Sequence, residues 1–223
     1  MRNLILVLLL TVTASFALAV PVSVSRRDIK FPTQQMVEKQ TFTNVLASNM
    51  STIKASGYDG PTSAAAVTLT SFSAQPDIAR NLSITPGGTT GDVENCDIVI
   101  NGTNWAGVSI SETFSFLANA TGKVTGSKAF ASVSSVVFPA NCESGGFAAT
   151  WSIGTEPKLG LKRCVANAGD FLFSLLNGAK EVTAPTLAVN SSVMASNTVL
   201  FDGALNGTND FVLYFMQNYG CFQ

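Results

Sequence analysis

The densest acidic cluster in this 223-residue chain consists of Asp92, Glu94 and Asp97. Two carboxylates held at a suitable distance can hydrolyse a glycosidic bond, and carboxylate oxygens are good ligands for Ca²⁺. No calcium-loop pattern surrounds these residues, so a polar turn that leads into a strand is the simpler interpretation. We expect no metal site here, and a carboxylate-dependent glycoside hydrolase is a weaker alternative.

Other catalytic groups are missing from the sequence. The chain contains no His, which excludes Ser-His-Asp and Cys-His catalysis. Ser51-Thr52-Ile53-Lys54 fits the S-x-x-K motif of penicillin-binding proteins, but the companion motifs S-D-N and K-T-G are absent. The sequence therefore predicts a protein that is not an enzyme and that needs no cofactor.

Trp105 is the candidate binding residue. It lies between two predicted strands, in the loop formed by residues 104–107. An exposed indole could bind a sugar or a protein surface there, because the side chain combines a large apolar face with a polar N–H group. The alternative is that the ring folds back onto the core.

Four cysteines are present, namely Cys96, Cys142, Cys164 and Cys221. An even number of cysteines in a secreted chain predicts two disulfides, and their wide spacing matches no zinc-binding pattern. Three pairings are possible. We favour Cys96–Cys142 with Cys164–Cys221, because Cys96 begins one predicted strand, Cys142 follows another, and Cys221 would attach the C-terminus to the body.

The first 27 residues indicate export. Residues 1–19 form a signal peptide, with Arg2, an apolar run over residues 4–10 and an A-x-A cleavage pattern that ends at Ala19. The apolar run is shorter than the roughly 20 residues of a membrane span. A signal anchor is the alternative, and the small residues and Pro21 that follow favour cleavage. Residues 20–27 form a short propeptide that ends at Arg26-Arg27, which resembles a site for kexin-type processing proteases; a solvated charge pair is the alternative. We expect a secreted, extracellular protein.

The charge balance limits the partners. Removal of residues 1–27 takes away three basic groups and no acid, which leaves ten basic and fourteen acidic groups and a net charge of −4. Nucleic acids and anionic membranes are therefore not expected as partners, since phosphate binding needs clustered Lys and Arg. The expected partner is a protein or glycan surface, or a second copy of the chain.

Six N-x-S/T sequons predict glycosylation in a eukaryotic host. They begin at Asn49, Asn81, Asn101, Asn119, Asn190 and Asn206. Asn101 and Asn206 are each followed by Gly and Thr, which indicates turns and makes these two the strongest candidates.

Residues 28–60 are predicted to form an N-terminal helical segment. Its helix spans residues 32–55, between Pro32 and Gly57. An apolar stripe recurs at helical spacing and comprises Phe42, Val45, Leu46, Met50 and Ile53. This helix would pack on the main domain or bind a partner.

Residues 61–223 show the two-residue period of strands. The clearest hairpin joins residues 96–103 to residues 108–116, where apolar and polar side chains alternate. Glu112 interrupts the apolar row, which places it near a sheet edge or in a pair. Short strands separated by turn residues predict a mainly β fold, an antiparallel β-sandwich or barrel-like domain, with the one amphipathic helix at its N-terminus.

Several segments of this region carry a resemblance. They are residues 80–90 (R-N-L-S-I-T-P-G-G-T-T), 110–116 (I-S-E-T-F-S-F), 126–130, 133–139, 158–161, 181–189, 197–199 and 204–207. In this order they resemble segments of tailed-bacteriophage virion structural proteins, over residues 65–216. The resemblance implies a non-enzymatic β-domain for assembly or binding, with no catalytic residues. The leader, cysteines and sequons depart from that family and suggest a phage-type domain that a eukaryote such as a fungus has adapted for export.

Two functions are therefore expected from the sequence. The first is a secreted, disulfide-stabilised, glycosylated β-domain that acts by binding or assembly. The alternative is a secreted fungal effector or toxin that acts on a host cell, which the leader, the dibasic site and the small disulfide-bonded body would suit.

Processing of the leader is directly measurable. We expect the protein secreted by a host with a kexin-type protease to begin at Asp28, because that protease cleaves after paired basic residues. N-terminal sequencing or intact mass spectrometry reads the first residue. A chain that begins at Val20 would show that only the signal peptide is removed and would contradict the propeptide.

Overall fold

A computed structural model describes residues 37–59, 65–140, 142–144 and 148–216, with the backbone alone for residues 56–59. The predicted signal peptide and propeptide, with Ala19, Arg26 and Arg27, lie outside the described residues. So do the first part of the predicted helix and Cys221.

The described residues form fourteen strands and three single-turn 3-10 helices, the latter at Thr90–Asp92, Ala168–Asp170 and Met194–Ser196. The strands are β1 (Val37–Phe42), β2 (Asn49–Asp59), β3 (Val67–Leu69), β4 (Arg80–Gly88), β5 (Cys96–Thr103), β6 (Ser109–Phe116), β7 (Val124–Thr125), β8 (Ser132–Phe138), β9 (Ala149–Gly160), β10 (Phe171–Leu176), β11 (Ala179–Lys180), β12 (Thr186–Ala188), β13 (Thr198–Leu200) and β14 (Phe211–Met216). In this part of the chain no helix is long and apolar enough to cross a membrane.

The strands form three sheets, and every strand pairing is antiparallel. One sheet has the order β1-β14-β10-β11, and a second has the order β3-β8-β5-β6. The third has the order β12-β13-β9-β4-β7, with β2 paired to β9 as well. The prediction of a mainly β, antiparallel fold is confirmed, and the sheets include a curled half-barrel.

The larger core lies between the first half of β9 and the sheet that contains β5, β6 and β8. Trp151 of β9 is its largest side chain and is 1% exposed. The Trp151 ring meets Phe116 of β6 at 5.1 Å between centroids and Phe138 of β8 at 5.8 Å. Because aromatic rings bury the most apolar area per residue, this three-ring contact is a main source of attraction between the two sheets.

A second core joins the far end of β9 to β1, β13 and β14. Phe211, Leu213 and Phe215 of β14 alternate along the strand and are fully buried. Phe201 contacts both Phe42 and Phe211, at 5.5 Å and 4.5 Å between ring centroids. Strand β9 is thus long enough to contribute to both cores.

The predicted N-terminal helix is wrong for residues 37–55, which form β1 and most of β2. Strand β1 pairs with β14 over all of its six residues, and β2 pairs with β9. The predicted apolar stripe is divided, because Phe42 and Val45 enter the second core and Ile53 enters the first. Leu46 and Met50 are instead more than half exposed. Pairing with strands distant in sequence decided the structure here, and a short apolar pattern does not reveal it.

The predicted hairpin of residues 96–103 and 108–116 is confirmed as β5 and β6. Glu112 lies on β6, the edge strand of its sheet, as expected. The predicted turn at residues 101–103 is wrong, because these residues belong to β5 and pair with both β6 and β8.

The disulfide Cys96–Cys142 is present, as predicted, and encloses a sequence separation of 46 residues. It ties the start of β5 to the segment that follows β8. A crosslink over a loop of this length stabilises a fold by up to about 4 kcal/mol in the chain-entropy model. Cys164 is also disulfide-bonded, while Cys221, its predicted partner, lies outside the described residues.

The close crossing of β2 and β9 at Gly154 can be tested by substitution. A Cβ atom at Gly154 would overlap the carbonyl oxygen of Asn49 and the Cα of Met50, which are backbone atoms that cannot turn aside. We expect Gly154→Ala to lower the free energy of unfolding by about 1–3 kcal/mol, as overpacking does. Thermal denaturation measures the loss.

Gly169→Ala is the matched control, because nothing lies within 4 Å of a Cβ atom built at Gly169. Equal stability of the two variants would show that β2 does not cross β9 at this distance.

Candidate functional site

Trp105 sits in the loop that joins β5 to β6. The backbone N–H of Asn104 donates to the carbonyl of Val108. The Asn104 side-chain oxygen accepts from the N–H groups of Ala106 and Val108, at 2.9 and 3.1 Å. Gly107 has a φ of 76°, a conformation that favours glycine. These hydrogen bonds therefore fix the backbone of the loop that carries Trp105.

The indole is anchored at the end of β9. Its Nε1–H donates to the carbonyl oxygen of Gly160 at 2.8 Å, across 55 residues of sequence. One side of the ring packs against the buried residues Cys164 and Met194. The ring is half-buried, so it lies between the two alternatives, which were an exposed indole and a ring folded back onto the core.

A cation lies over the Trp105 ring. The Nζ of Lys162 is 4.7 Å from the ring centroid, which is within the range of a cation–π interaction. The backbone of Lys162 is fixed as well, because its N–H donates to the Oε1 of Gln40 at 2.9 Å. Gln40 is 2% exposed and donates through Nε2 to Gly160, the same carbonyl that holds the indole.

These groups border a surface cavity of about 370 Å³, which we call the Trp105 cavity. Its lining residues are Glu38, Trp105, Ala106, Lys162, Arg163 and Met194. They come from β1, the β5–β6 loop, the segment after β9 and the 3-10 turn before β13. Two cationic side chains and one carboxylate share the cavity with an aromatic ring and a thioether, which suits a small ligand with both charged and apolar parts.

The acidic cluster has a structural role in part. The Asp92 carboxylate accepts from the Ala148 N–H at 3.1 Å and from the Ser144 hydroxyl at 3.4 Å, which holds the segment before β9. Asp97 is exposed on β5. Within the described residues, no three acidic, Cys or His side chains are grouped so that they could hold a metal ion.

Other carboxylates also hold the structure together. Glu112 accepts from the N–H and the hydroxyl of Ser127 at 2.6 and 2.9 Å, and so fixes the approach to β8. Glu156 of β9 is nearly buried and forms an ion pair with Lys123 at 2.7 Å. These contacts use the carboxylates as acceptors for neighbouring loops.

Arg80, at the start of β4, is fully buried. Its Nε donates to the carbonyl of Glu156 at 2.8 Å, and its Nη1 donates to the carbonyl of Leu46 and to Asp77, both at 2.9 Å. A cavity of about 300 Å³ lies beside it. The guanidinium has no exposed surface, so its evident role is to bind the β1–β2 connection to β4 and β9.

The six sequons differ sharply in accessibility. Asn49, Asn119 and Asn206 are exposed, while Asn101 and Asn190 are half-buried. In Asn49, Asn190 and Asn206 the side-chain oxygen accepts from the N–H and the hydroxyl of the Ser or Thr two residues on, which is an Asx turn. Asn81 is fully buried, and its Nδ2 donates to the carbonyl of Gly126. The folded structure leaves no room for a glycan on Asn81.

Sequence reasoning found Trp105 and missed its neighbours. Glu38 was assigned to a helix, and Lys162, Arg163 and Met194 were not singled out. The adjacent Lys162-Arg163 pair, in a chain with only thirteen basic residues, is the one signal that could have drawn attention. Because this pair is far from Trp105 in the sequence, the sequence does not reveal that the two lie together.

Glycan mapping tests the burial of Asn81. We expect the peptide that contains Asn81 to be unmodified in the folded, secreted protein, because a glycan there would break the hydrogen bonds to Gly126 and from Lys158. Asn206, exposed in a turn, is the internal control and should carry a glycan. Mass spectrometry after enzymatic deglycosylation reads both sites, and a glycan on Asn81 in folded protein would contradict the structure.

Comparison with known proteins adds no relatives. The chain matches no protein-family model, no curated protein and no solved structure. The resemblance to phage virion proteins therefore stays a prediction from the sequence, and the geometry of the Trp105 cavity is the main guide to function.

Proposed function

We propose that this protein is a secreted, disulfide-stabilised and glycosylated β-domain that acts by binding or assembly and not by catalysis. The observation that carries the proposal is the Trp105 cavity. Its aromatic ring is held by a hydrogen bond to Gly160 and remains partly exposed, with charged side chains around it. Aromatic rings presented in this way are typical of recognition surfaces.

The use of the acidic side chains supports a role without catalysis. Asp92, the first residue of the predicted carboxylate cluster, accepts hydrogen bonds from Ser144 and Ala148. Glu112 and Glu156 are similarly engaged. A carboxylate that already accepts hydrogen bonds from neighbouring segments of the protein is poorly placed to exchange protons with a substrate.

The scaffold suits a protein that works outside the cell. The Cys96–Cys142 disulfide belongs to the same core as Trp151, and both of its cysteines are buried. Buried disulfides of this kind stabilise extracellular domains, where thiols are not kept reduced. A phage-type module for assembly, adapted for export, is the origin that the sequence resemblance suggests.

Binding and assembly can be tested together on the purified mature protein. We expect it either to form a defined oligomer in light scattering or to bind a component of a glycan and cell-surface array, because a prepared recognition cavity implies an occupant. A strict monomer that binds nothing would contradict the proposal.

Two comparisons separate the alternatives. The variant with Asp92, Glu94 and Asp97 all changed to Ala should retain binding, and a glycosidase activity that this variant loses would favour the hydrolase instead. A response of host tissue to the infiltrated protein would favour the effector, the alternative that the leader suggests.

A further inference from the structure

We propose that the Trp105 cavity binds the acidic sugar unit of an extracellular glycan, with the sugar carboxylate received by Lys162 and Arg163. This inference rests on the proposed binding function and names the ligand class of the same cavity. Three observations carry it, namely the charge of the cavity, the cation over the indole ring, and the mixture of polar and apolar groups in its lining.

The cavity has an excess of positive charge. Lys162 and Arg163 are exposed, and among the described residues neither has a carboxylate within ion-pair distance. Glu38 is the single acid in the lining. Two cations and one carboxylate leave a net positive charge at this cavity, which favours an anionic ligand.

The position of Lys162 distinguishes an acidic sugar from a neutral one. Its ammonium group occupies a face of the Trp105 ring, at 4.7 Å from the centroid. A neutral sugar that stacked on that face would have to displace the cation and lose the cation–π contact. A carboxylate can instead bind the ammonium where it already lies, so the acidic ligand gains a charged hydrogen bond at no such cost.

The rest of the lining suits a sugar more than a simple anion. A volume of about 370 Å³ is at the lower end of small-molecule sites and far exceeds one ion. Glu38 can accept hydrogen bonds from hydroxyl groups, whereas it would repel a doubly charged phosphate. The exposed part of Trp105 and the thioether of Met194 offer apolar surface to the C–H face of a sugar ring.

The cavity is prepared before a ligand arrives. Gln40 is buried and links the Gly160 carbonyl to the Lys162 N–H, and Trp105 is bonded to the same carbonyl. Groups that are already held in place lose less entropy on binding, which favours selective recognition of one shape. The bridge through Gln40 therefore links the backbone of Lys162 to the carbonyl that holds the Trp105 indole.

Fluorescence titration tests the inference. The folded mature protein is titrated with tri-galacturonate and with the matched neutral galactose trisaccharide, at fixed ionic strength. We expect saturable binding of the acidic trisaccharide alone, weakened by added salt as ion pairs are. The signal reports this cavity, because the chain has two Trp residues and the other, Trp151, is buried in the core and bonded to Glu143.

Charge-removing variants locate the site. Lys162→Gln and Arg163→Gln should each weaken tri-galacturonate binding by about tenfold or more, since each removes one charged hydrogen bond. Lys180→Gln, at an exposed position on β11, is the control and should bind like the parent. Circular dichroism and thermal denaturation confirm that all three variants remain folded.

The outcomes are distinct. Equal binding of the neutral trisaccharide, undiminished binding by Lys162→Gln and Arg163→Gln, or full displacement by an equal concentration of acetate would each overturn the acidic-sugar site. If the protein then still binds another surface on the array or forms a defined oligomer, the proposed function stands without this inference. A monomer that binds neither sugar nor surface overturns both.

Discussion

The structure depends on one constraint, which is that both edges of a twelve-residue strand must be hydrogen-bonded. Strand β9 satisfies one edge with β4 and the other with β2 at its start and β13 at its end. Buried N–H and C=O groups are costly when unpaired, so these partners are obligatory and not optional additions. Because β9 also contributes side chains to both cores, the strands that pair with it bring the two cores together in one fold.

A buried charge imposes the next requirement. The Arg80 guanidinium has no access to water and must find its acceptors within the protein, since an unpaired buried charge is strongly destabilising. It takes them from Glu156 on β9, from Leu46 after β1 and from Asp77. The acidic residues behave likewise, because Asp92 and Glu112 hold loops through backbone N–H groups. These charged side chains thus serve to hold the structure together.

The Trp105 cavity lies at the surface of this framework and is open to solvent. Its ring depends on the last carbonyl of β9, and its cations follow directly after that strand. Four segments that are far apart in sequence meet there around the end of β9. Strand β13 pairs with β9 directly, and the hydrogen bonds of Trp105 and Gln40 to the Gly160 carbonyl attach the β5–β6 loop and β1 to the same end. A change that disturbs Gly160 or Gln40 would therefore disturb the anchor of the indole and the backbone of Lys162 at once.

The sequence by itself determined the fold class and the β5–β6 hairpin, because the alternation of apolar and polar side chains is a local signal. It favoured the Cys96–Cys142 pair but left three pairings possible. It also singled out Trp105 as a loop residue. Only the tertiary structure decided that residues 37–42 and 49–55 are strands, that Asn81 is buried, and that Lys162 lies over the indole. The physical reason is the same in each case: the deciding partner lies dozens of residues or more away, in β14, β9 or the segment after β9. Side-chain periodicity records which faces are apolar and carries no information about which distant backbone completes the hydrogen bonds.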